Sequence, residues 1–215
     1  MPINPAIAFH SLVNGPEAFL KRYPIRIFGD VNASGIAQYA IENCGNSFRP
    51  GSIFGTHRLH ATESFNIRAI IAGMHGPGSH IFQAHSVHMD GGIGAMGSYR
   101  LDATGPNIMV TGQLSGCAFV IDPVGGNNVD VAHIKPIGIT GSNLAATLAG
   151  NHPNAFVYGA TAGHGFYDSN DRVVSIIGIR DAGGAWKIYA QKHDAISMDY
   201  RIQSVYRIHP NHTKL

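Results

Sequence analysis

The sequence predicts an α+β fold that is rich in β-structure: a β-sandwich or a distorted barrel flanked by short helices. Short apolar segments alternate with turns along all 215 residues, and few stretches show helical periodicity. The 27 glycines supply many turns and bulges. With 44% hydrophobic and 13% charged residues, the chain can bury a large core. We find no repeat and no linker, so residues 1–215 are expected to form a single domain.

The individual elements follow from local patterns. Residues 1–25 contain several prolines and are predicted to be a loose N-terminal segment. The stretch Ser34–Cys44 is predicted to be a helix, because a serine that fits the N-cap precedes an apolar stripe at helical spacing. A second helix is predicted at Asn143–Leu148, ended by Gly150. Strands are predicted at Ile25–Phe28, Ser64–Met74, Ile81–Met89, Asn107–Thr111, Cys117–Asp122, Val129–Ile134, Ala155–Ala160, Val173–Arg180, Trp186–Gln191 and Ser204–His209, and loops at residues 46–58 and Asp90–Gly97.

Charge and composition exclude several function classes. The net charge is +2 and there is no run of Lys or Arg, which argues against a nucleic-acid partner. No apolar run approaches the roughly 18 residues of a membrane span. The N-terminus lacks a basic segment followed by an apolar core, so we expect no Sec-type signal. Cys44 and Cys117 lie far apart in the sequence; a single disulfide between them is one alternative, but two free thiols in a reducing compartment are expected.

Cys117 and His133 bracket a predicted β-hairpin. If the turn is centred on Gly125, the two residues pair directly, with Cβ atoms about 4.5–5.5 Å apart. A slip of one residue places them on opposite faces, and a slip of two leaves them diagonal on the same face. A histidine beside a cysteine favours the thiolate, which is the nucleophilic form. Taken alone, the pair favours a buried structural thiol beside a core histidine over a catalytic pair.

The residues before the cysteine add to the candidate site. Leu114, Ser115 and Gly116 are predicted to form a tight turn, and Gly116 lets the backbone approach a substrate closely. The backbone N–H groups of Gly116 and Cys117 would then donate to a developing oxyanion.

A catalytic histidine needs a partner that orients its ring. Thr111, on the strand that leads into the turn, is the preferred candidate, through its hydroxyl or its carbonyl. Asp130 and Gln113 are less favoured.

The segment Thr111-Gly-Gln-Leu-Ser-Gly-Cys117, followed by His133, resembles the active site of the glutamine-deamidating bacterial toxins. This family includes the Burkholderia lethal factor and the catalytic domain of cytotoxic necrotizing factor. The resemblance covers roughly thirty residues, and the hairpin is a few residues longer here than in the lethal factor. It implies a β-sandwich flanked by helices, in which a Cys–His site converts a target glutamine to glutamate without cofactor or metal.

The resemblance also implies a setting for the protein. It indicates a single catalytic domain of a bacterial effector that leaves the producing cell without a Sec signal and acts in the cytoplasm of a target cell; the alternative is a cytoplasmic resident. The expected partner is a host protein that bears a reactive glutamine. A delivery machine, or an immunity or chaperone protein, would be a further partner.

Two other functions remain open. One is a non-catalytic β-sandwich binding module with an inert thiol. The other is a metal protein, because histidines and a carboxylate can hold zinc or iron; the candidate ligands are His75, His80, His85, His88 and Asp90. Their spacing fits no helical His-x-x-x-His pattern. Gly92–Gly97 reads as G-x-G-x-x-G, but no helical stripe follows it, so a loop is predicted rather than a dinucleotide site.

Overall fold

The computed structural model describes residues 3–28, 31–44, 64–70, 75–90, 98–135, 141–150, 152–159, 165–166, 172–194 and 201–215. In these residues β-structure dominates and the helices are short, so the predicted fold class is confirmed. The helices are α1 (Pro5–Asn14), α2 (Pro16–Arg22) and α3 (Gly141–Leu148). In the described part of the chain, the strands form two sheets, a large one of nine strands and a small one of six.

The large sheet is mixed, and its strands come from both ends of the chain. In spatial order it contains β1, β3, β2, β4, β7, β12, β13, β14 and β15. Their bounds are β1 (Ile25–Phe28), β2 (Gly35–Asn43), β3 (Phe65–Ala69), β4 (His80–Val87), β7 (Ile108–Thr111), β12 (Arg172–Arg180), β13 (Trp186–Asp194), β14 (Ile202–His209) and β15 (Thr213–Lys214).

The small sheet is built around one hairpin. In spatial order it contains β11, β10, β8, β9 and β5, and β6 also pairs with β9. Their bounds are β5 (Met89–Asp90), β6 (Tyr99–Leu101), β8 (Ala118–Gly125), β9 (Asn128–Ile134), β10 (Phe156–Gly159) and β11 (Gly165–Phe166). The hairpin strands β8 and β9 lie side by side inside this sheet.

The large sheet curls until its first strand lies against distant strands of the same sheet. The backbone N–H of Ile25 donates to Gln191 Oε1 at 2.7 Å, and Ser175 Oγ donates to the Ile25 carbonyl at 2.7 Å. Gln191 Nε2 donates in turn to the carbonyls of Leu20 and Tyr23. Side chains therefore satisfy an edge strand that would otherwise present unpaired backbone groups.

Helices α1 and α2 fill the concave side of this curled sheet, so the prediction of a loose segment over residues 1–25 is wrong. Pro5 and Pro16 occupy the first turns of the two helices, where a missing N–H costs nothing. The side chain of Asn4 caps α1 by accepting from the N–H of Ala6 at 2.8 Å. The prolines begin helices here instead of excluding them, and Leu12 and Phe19 are buried against the sheet.

The helix predicted over Ser34–Cys44 is also wrong, because most of this stretch is strand β2. This strand lies between β3 and β4 and pairs with both. Tyr39 and Ile41 point to the concave core, whereas Ile36 is exposed. The apolar residues of this stretch are compatible with helical spacing, but hydrogen bonding of both strand edges to β3 and β4 favours the strand.

A second core lies between the two sheets and confirms the sandwich. The large sheet contributes Met109, Val174, Ile176, Trp186 and Ile188, and the small sheet contributes Phe119, Ile121, Val129, Val131 and Tyr158. On the opposite face of the small sheet, residues of α3 pack over Val120 and Ala132.

The remaining predicted elements agree with the structure within a few residues at their ends, including the helix predicted at Asn143–Leu148. The predicted loop at residues 46–58 lies outside the described residues, as do residues 71–74 of the strand predicted at Ser64–Met74. Of the loop predicted at Asp90–Gly97, Asp90 is in strand β5 and residues 91–97 lie outside the described part. Within the described part of the chain, no helix is both long enough and apolar enough to cross a membrane.

Candidate active site

The register of the β8–β9 hairpin places Cys117 diagonal to His133. Phe119 pairs with His133, and Ala118 pairs with Ile134. The predicted direct pairing of Cys117 with His133 is therefore wrong by two residues. Since the slip is two residues, both side chains still belong to the same face of the small sheet.

The turn explains this shift. Gly126 and Asn127 form the two-residue turn, rather than a turn centred on Gly125. The ladder is irregular between Pro123 and Gly125, which absorbs an extra residue on the β8 side. Gly125 and Gly126 have φ angles of +100° and +61°, which permit this turn.

His133 is buried, and its ring is joined to the large sheet through Thr111. Its Nδ1 lies 2.8 Å from Thr111 Oγ1, which lies 2.7 Å from the carbonyl oxygen of Val87. A carbonyl can only accept, so the single hydroxyl proton of Thr111 goes to Val87. The threonine oxygen must then accept from Nδ1–H of His133. In the neutral ring, Nε2 is therefore the nitrogen that carries the lone pair.

The position of Thr111 follows from strand pairing. Strand β7 runs parallel to β4, with Thr111 in register with Val87, so the hydroxyl and the carbonyl meet. The two less favoured partners point elsewhere: Gln113 Nε2 lies 3.4 Å from Ser175 Oγ, and Asp130 forms a two-pronged ion pair with Arg100 at 2.6 and 2.9 Å.

The three residues before Cys117 form a bend that is anchored at one end. Leu114 is fully buried and exchanges two backbone hydrogen bonds with Val174, at 2.8 and 3.0 Å. Ser115 is exposed. Gly116 has φ +113°, a conformation that an L side chain rarely adopts, and the space where a Cβ would lie is open. The hydrogen bonds of Leu114 and the conformation of Gly116 together set the backbone direction immediately before Cys117.

Cys117 lies at the margin of the inter-sheet core, with 8% of its surface exposed. Its Sγ donates to Met89 Sδ at 3.5 Å. Met89 is in parallel register with His133 on the far edge of β9, so it belongs to the same face. Gly112 completes the wall, since a Cβ there would be 3.8 Å from His133 Cε1. Met89 was not predicted, because only the parallel β5–β9 pairing brings it here.

The four histidines proposed as metal ligands are engaged in separate contacts. His75 Nδ1 lies 3.1 Å from Ser79 Oγ, and the ring of His80 packs on Phe9 with centroids 4.8 Å apart. The backbone N–H of His88 donates to Ser34. Among the described residues, no group of three or more His, Cys, Asp or Glu is placed to hold a metal ion. The side chain of Asp90 and the glycines of residues 92–97 lie outside the described part.

His85 has a structural environment. Its Nε2 donates to the Thr104 carbonyl at 3.2 Å, so its Nδ1 accepts from the Tyr99 hydroxyl at 2.8 Å. Burial lowers the pKa of His85 below its usual value, outweighing its hydrogen bonds to backbone carbonyls.

A cavity of about 860 Å³ lies away from this candidate site. It is formed where α1 meets α2 and at the ends of β7 and β12 opposite Thr111 and Val174, and its walls include Asn107, Arg180 and Tyr189. Burial, with a smaller contribution from Glu17, raises the pKa of Tyr189 to about 12. None of the predicted site residues lines this cavity.

Several chains of known structure are similar to this one. No protein-family model matches the chain, and no curated protein matches it. Among solved structures, the C-terminal domain of CNFy from Yersinia pseudotuberculosis aligns with a TM-score of 0.47 and 11% sequence identity, over 99% of this chain and 100% of that chain. Function therefore has to be argued from the residues around Cys117.

Proposed function

We propose that this protein is a cysteine-dependent deamidase that converts a glutamine side chain of a target protein to glutamate. The observation that supports it most strongly is the Val87–Thr111–His133 chain of hydrogen bonds. It fixes the imidazole tautomer on the face of the sheet that also carries Cys117. The motif from Thr111 to Cys117 supplies the chemical class.

The reaction follows from this tautomer. His133 Nε2 takes the thiol proton, and the sulfur attacks the side-chain carboxamide carbon of glutamine. The protonated imidazole then gives a proton to the departing nitrogen, so ammonia leaves and a thioester remains. Water, deprotonated by the same Nε2, attacks the thioester, which releases glutamate and restores the thiol. No cofactor or metal is part of this sequence.

The backbone at the bend supplies the remaining requirement. The tetrahedral intermediate carries negative charge on the former amide oxygen, and backbone N–H groups near Gly116 and Cys117 are the proposed donors. The bonds of Leu114 to Val174 hold one end of the bend, which supports the proposal that these donors are positioned before substrate arrives. Preorganised donors of this kind lower the barrier because they need no reorientation during the reaction.

The proposed setting is that of a bacterial effector acting on a host protein in the target-cell cytoplasm. Transglutamination and proteolysis use the same nucleophile and base, so the choice of acceptor is part of the proposal. Water is proposed as the acceptor. A delivery machine, or an immunity or chaperone protein, is proposed as a further partner.

The test compares two serine variants of the full chain. Wild type, Cys117→Ser and Cys44→Ser are expressed in host cells, and host proteins are searched by mass spectrometry for Gln-to-Glu conversion. Cys44 is a matched control, because it is also buried and donates from Sγ to Asn66 at 2.9 Å. We expect conversion with wild type and Cys44→Ser and none with Cys117→Ser. Equal conversion by all three would show that Cys117 is not the nucleophile, and no conversion with wild type would favour the inert-thiol binding module.

A further inference from the structure

We propose that Met89 is a positioning residue that holds resting Cys117 as a neutral thiol. This inference rests on the proposed function, since it concerns the state of the nucleophile. Its starting observation is the 3.5 Å contact in which Cys117 Sγ donates to Met89 Sδ. A thioether sulfur is a weak hydrogen-bond acceptor and has no proton to return.

The geometry shows why Met89 reaches the thiol beside the base. In the small sheet, β9 lies between β8 and β5, so the backbones that carry Cys117 and Met89 are two strand spacings apart, roughly 10 Å. Met89 is in register with His133, whereas Cys117 is diagonal to it. The Met89 side chain therefore crosses β9 next to the imidazole. An unbranched side chain with three rotatable bonds can span this distance and can also move aside.

The contact favours one protonation state. A hydrogen bond from the S–H group to Met89 exists only while the sulfur is protonated, so it opposes ionisation. The surrounding apolar core acts in the same direction, because burial disfavours a charged sulfur. A thiol kept neutral until substrate displaces Met89 is also less exposed to oxidation.

Other groups on this face act in the opposite direction. His133 favours the thiolate, and extending the β8–β9 register by one step places Lys135, which is exposed, opposite Cys117. On the β10 side, the ionisable residue Tyr158 is in register with Phe119. Asp90 follows Met89 on β5 and its backbone pairs with Ile134.

Among the described residues, the large sheet meets the His133 ring through a hydroxyl that is bonded to a backbone carbonyl. Thr111 and Val87 are the residues it directs at His133, and neither titrates. His85, two residues before Val87 on the same strand, has both ring nitrogens bonded to Tyr99 and Thr104. Replacing the Met89 sulfur should therefore shift the balance at Cys117 toward the thiolate.

The experiment measures iodoacetamide alkylation of Cys117 between pH 5 and 9, with the modified peptide resolved by mass spectrometry so that Cys44 does not interfere. Met89→Leu removes the sulfur at nearly constant volume, and Met89→Ile is a second variant in case the first does not fold. Met109→Leu is the matched control. Met109 is fully buried in the same core between the sheets, but it extends from the large sheet and packs against Gly178.

We expect the alkylation midpoint of the Met89 variants to fall by about half a pH unit, which is about a threefold rate increase below the midpoint. Met109→Leu should follow wild type. A reactive Cys117 with the same midpoint in wild type and the Met89 variants would overturn the role of Met89 and leave the proposed function intact. A rate change equal at every pH would also overturn it, since it would indicate only steric access. No alkylation of Cys117 in any variant would refute both proposals.

Discussion

His133 and His85 are two buried histidines of this sandwich that occupy similar positions but keep the lone pair of the imidazole on different nitrogens. Both face the space between the sheets, and both hydrogen-bond a hydroxyl group through Nδ1. At His85 that hydroxyl donates, because Nε2 is already committed to the Thr104 carbonyl. At His133 the hydroxyl accepts, because Val87 takes its proton. The direction of one hydrogen bond thus decides which nitrogen keeps a lone pair.

The surroundings reinforce this contrast. His85 belongs to a hydrogen-bond network that holds the segment of residues 102–105. In this network Arg180 donates to the carbonyls of Asp102, Thr104 and Gly105. Trp186 Nε1 also donates to the Asp102 carbonyl, at 2.9 Å. His133 shares its face with a thiol and a thioether. A network of backbone carbonyls indicates a structural role, whereas a neighbouring nucleophile supports a chemical one.

The largest expected effect comes from replacing each of the two histidines by alanine. His133→Ala should lower deamidation by roughly 10³-fold, because the nucleophile loses its base. His85→Ala should leave the rate of correctly folded protein within a few-fold but cost about 2–3 kcal/mol of unfolding free energy, since it leaves buried polar groups unpaired. Activity assays and urea unfolding of the two variants check this. A stability loss at His133 without an activity loss would reverse the comparison.

Acid should lower the free energy of unfolding through the buried histidines. Burial lowers the pKa of His193 to about 4, and burial also lowers the pKa of His85 and His209. The unfolded chain binds these protons near pH 6.5, so the stabilisation is complete above that value and is lost as pH falls towards 4. For His193 the expected loss is about 3 kcal/mol.

The measurement is urea unfolding at pH 7 and pH 4.5 for wild type and His193→Gln. The glutamine variant should lose less stability between the two values, because it has no imidazole to protonate. Equal losses would mean that other groups dominate acid unfolding.

The strand and the bend of the candidate site could be predicted from the sequence, because the residues from Thr111 to Cys117 lie close together along the chain. Their local order makes a strand and a bend before the proposed nucleophile without reference to distant residues. The register could not be predicted, since it depends on a turn at Gly126 and Asn127 and on an irregularity between Pro123 and Gly125, which together place Phe119 instead of Cys117 opposite His133. Met89 could not be found either, because β5 reaches β9 only through a parallel pairing.

The fold shows the same division. The alternation of short apolar segments predicted the sandwich, because that pattern depends on period and not on partners. Strand β2 was mistaken for a helix, since its identity depends on β3 and β4 pairing on both edges. The N-terminal helices were missed because their prolines occupy first-turn positions, where proline is favoured.

A smaller effect is expected from the threonine that fixes the base. Thr111→Val removes the hydroxyl and keeps the shape, so it should lower deamidation about tenfold, the value of one hydrogen bond of about 1.4 kcal/mol. Thr111→Ser keeps the hydroxyl and should retain most activity. Steady-state rates of the two variants test this; equal losses would mean that the methyl group or the backbone, not the hydroxyl, orients His133.

The smallest expected effect separates two glycines beside the site. Gly116 has φ +113°, so Gly116→Ala forces an L side chain into a strained backbone conformation. If the bend positions the oxyanion donors, this change should raise the activation free energy by about 1 kcal/mol, which lowers kcat/KM about fivefold. Gly112 is the matched control, because a Cβ there meets His133 Cε1 at an ordinary 3.8 Å. Gly112→Ala should therefore remain within about twofold of wild type. Rates and melting temperatures measured together decide the cause: a fall in kcat/KM for Gly116→Ala without a fall in melting temperature would point to the oxyanion donors. A fall in melting temperature alone would show that Gly116 serves the bend and not the chemistry.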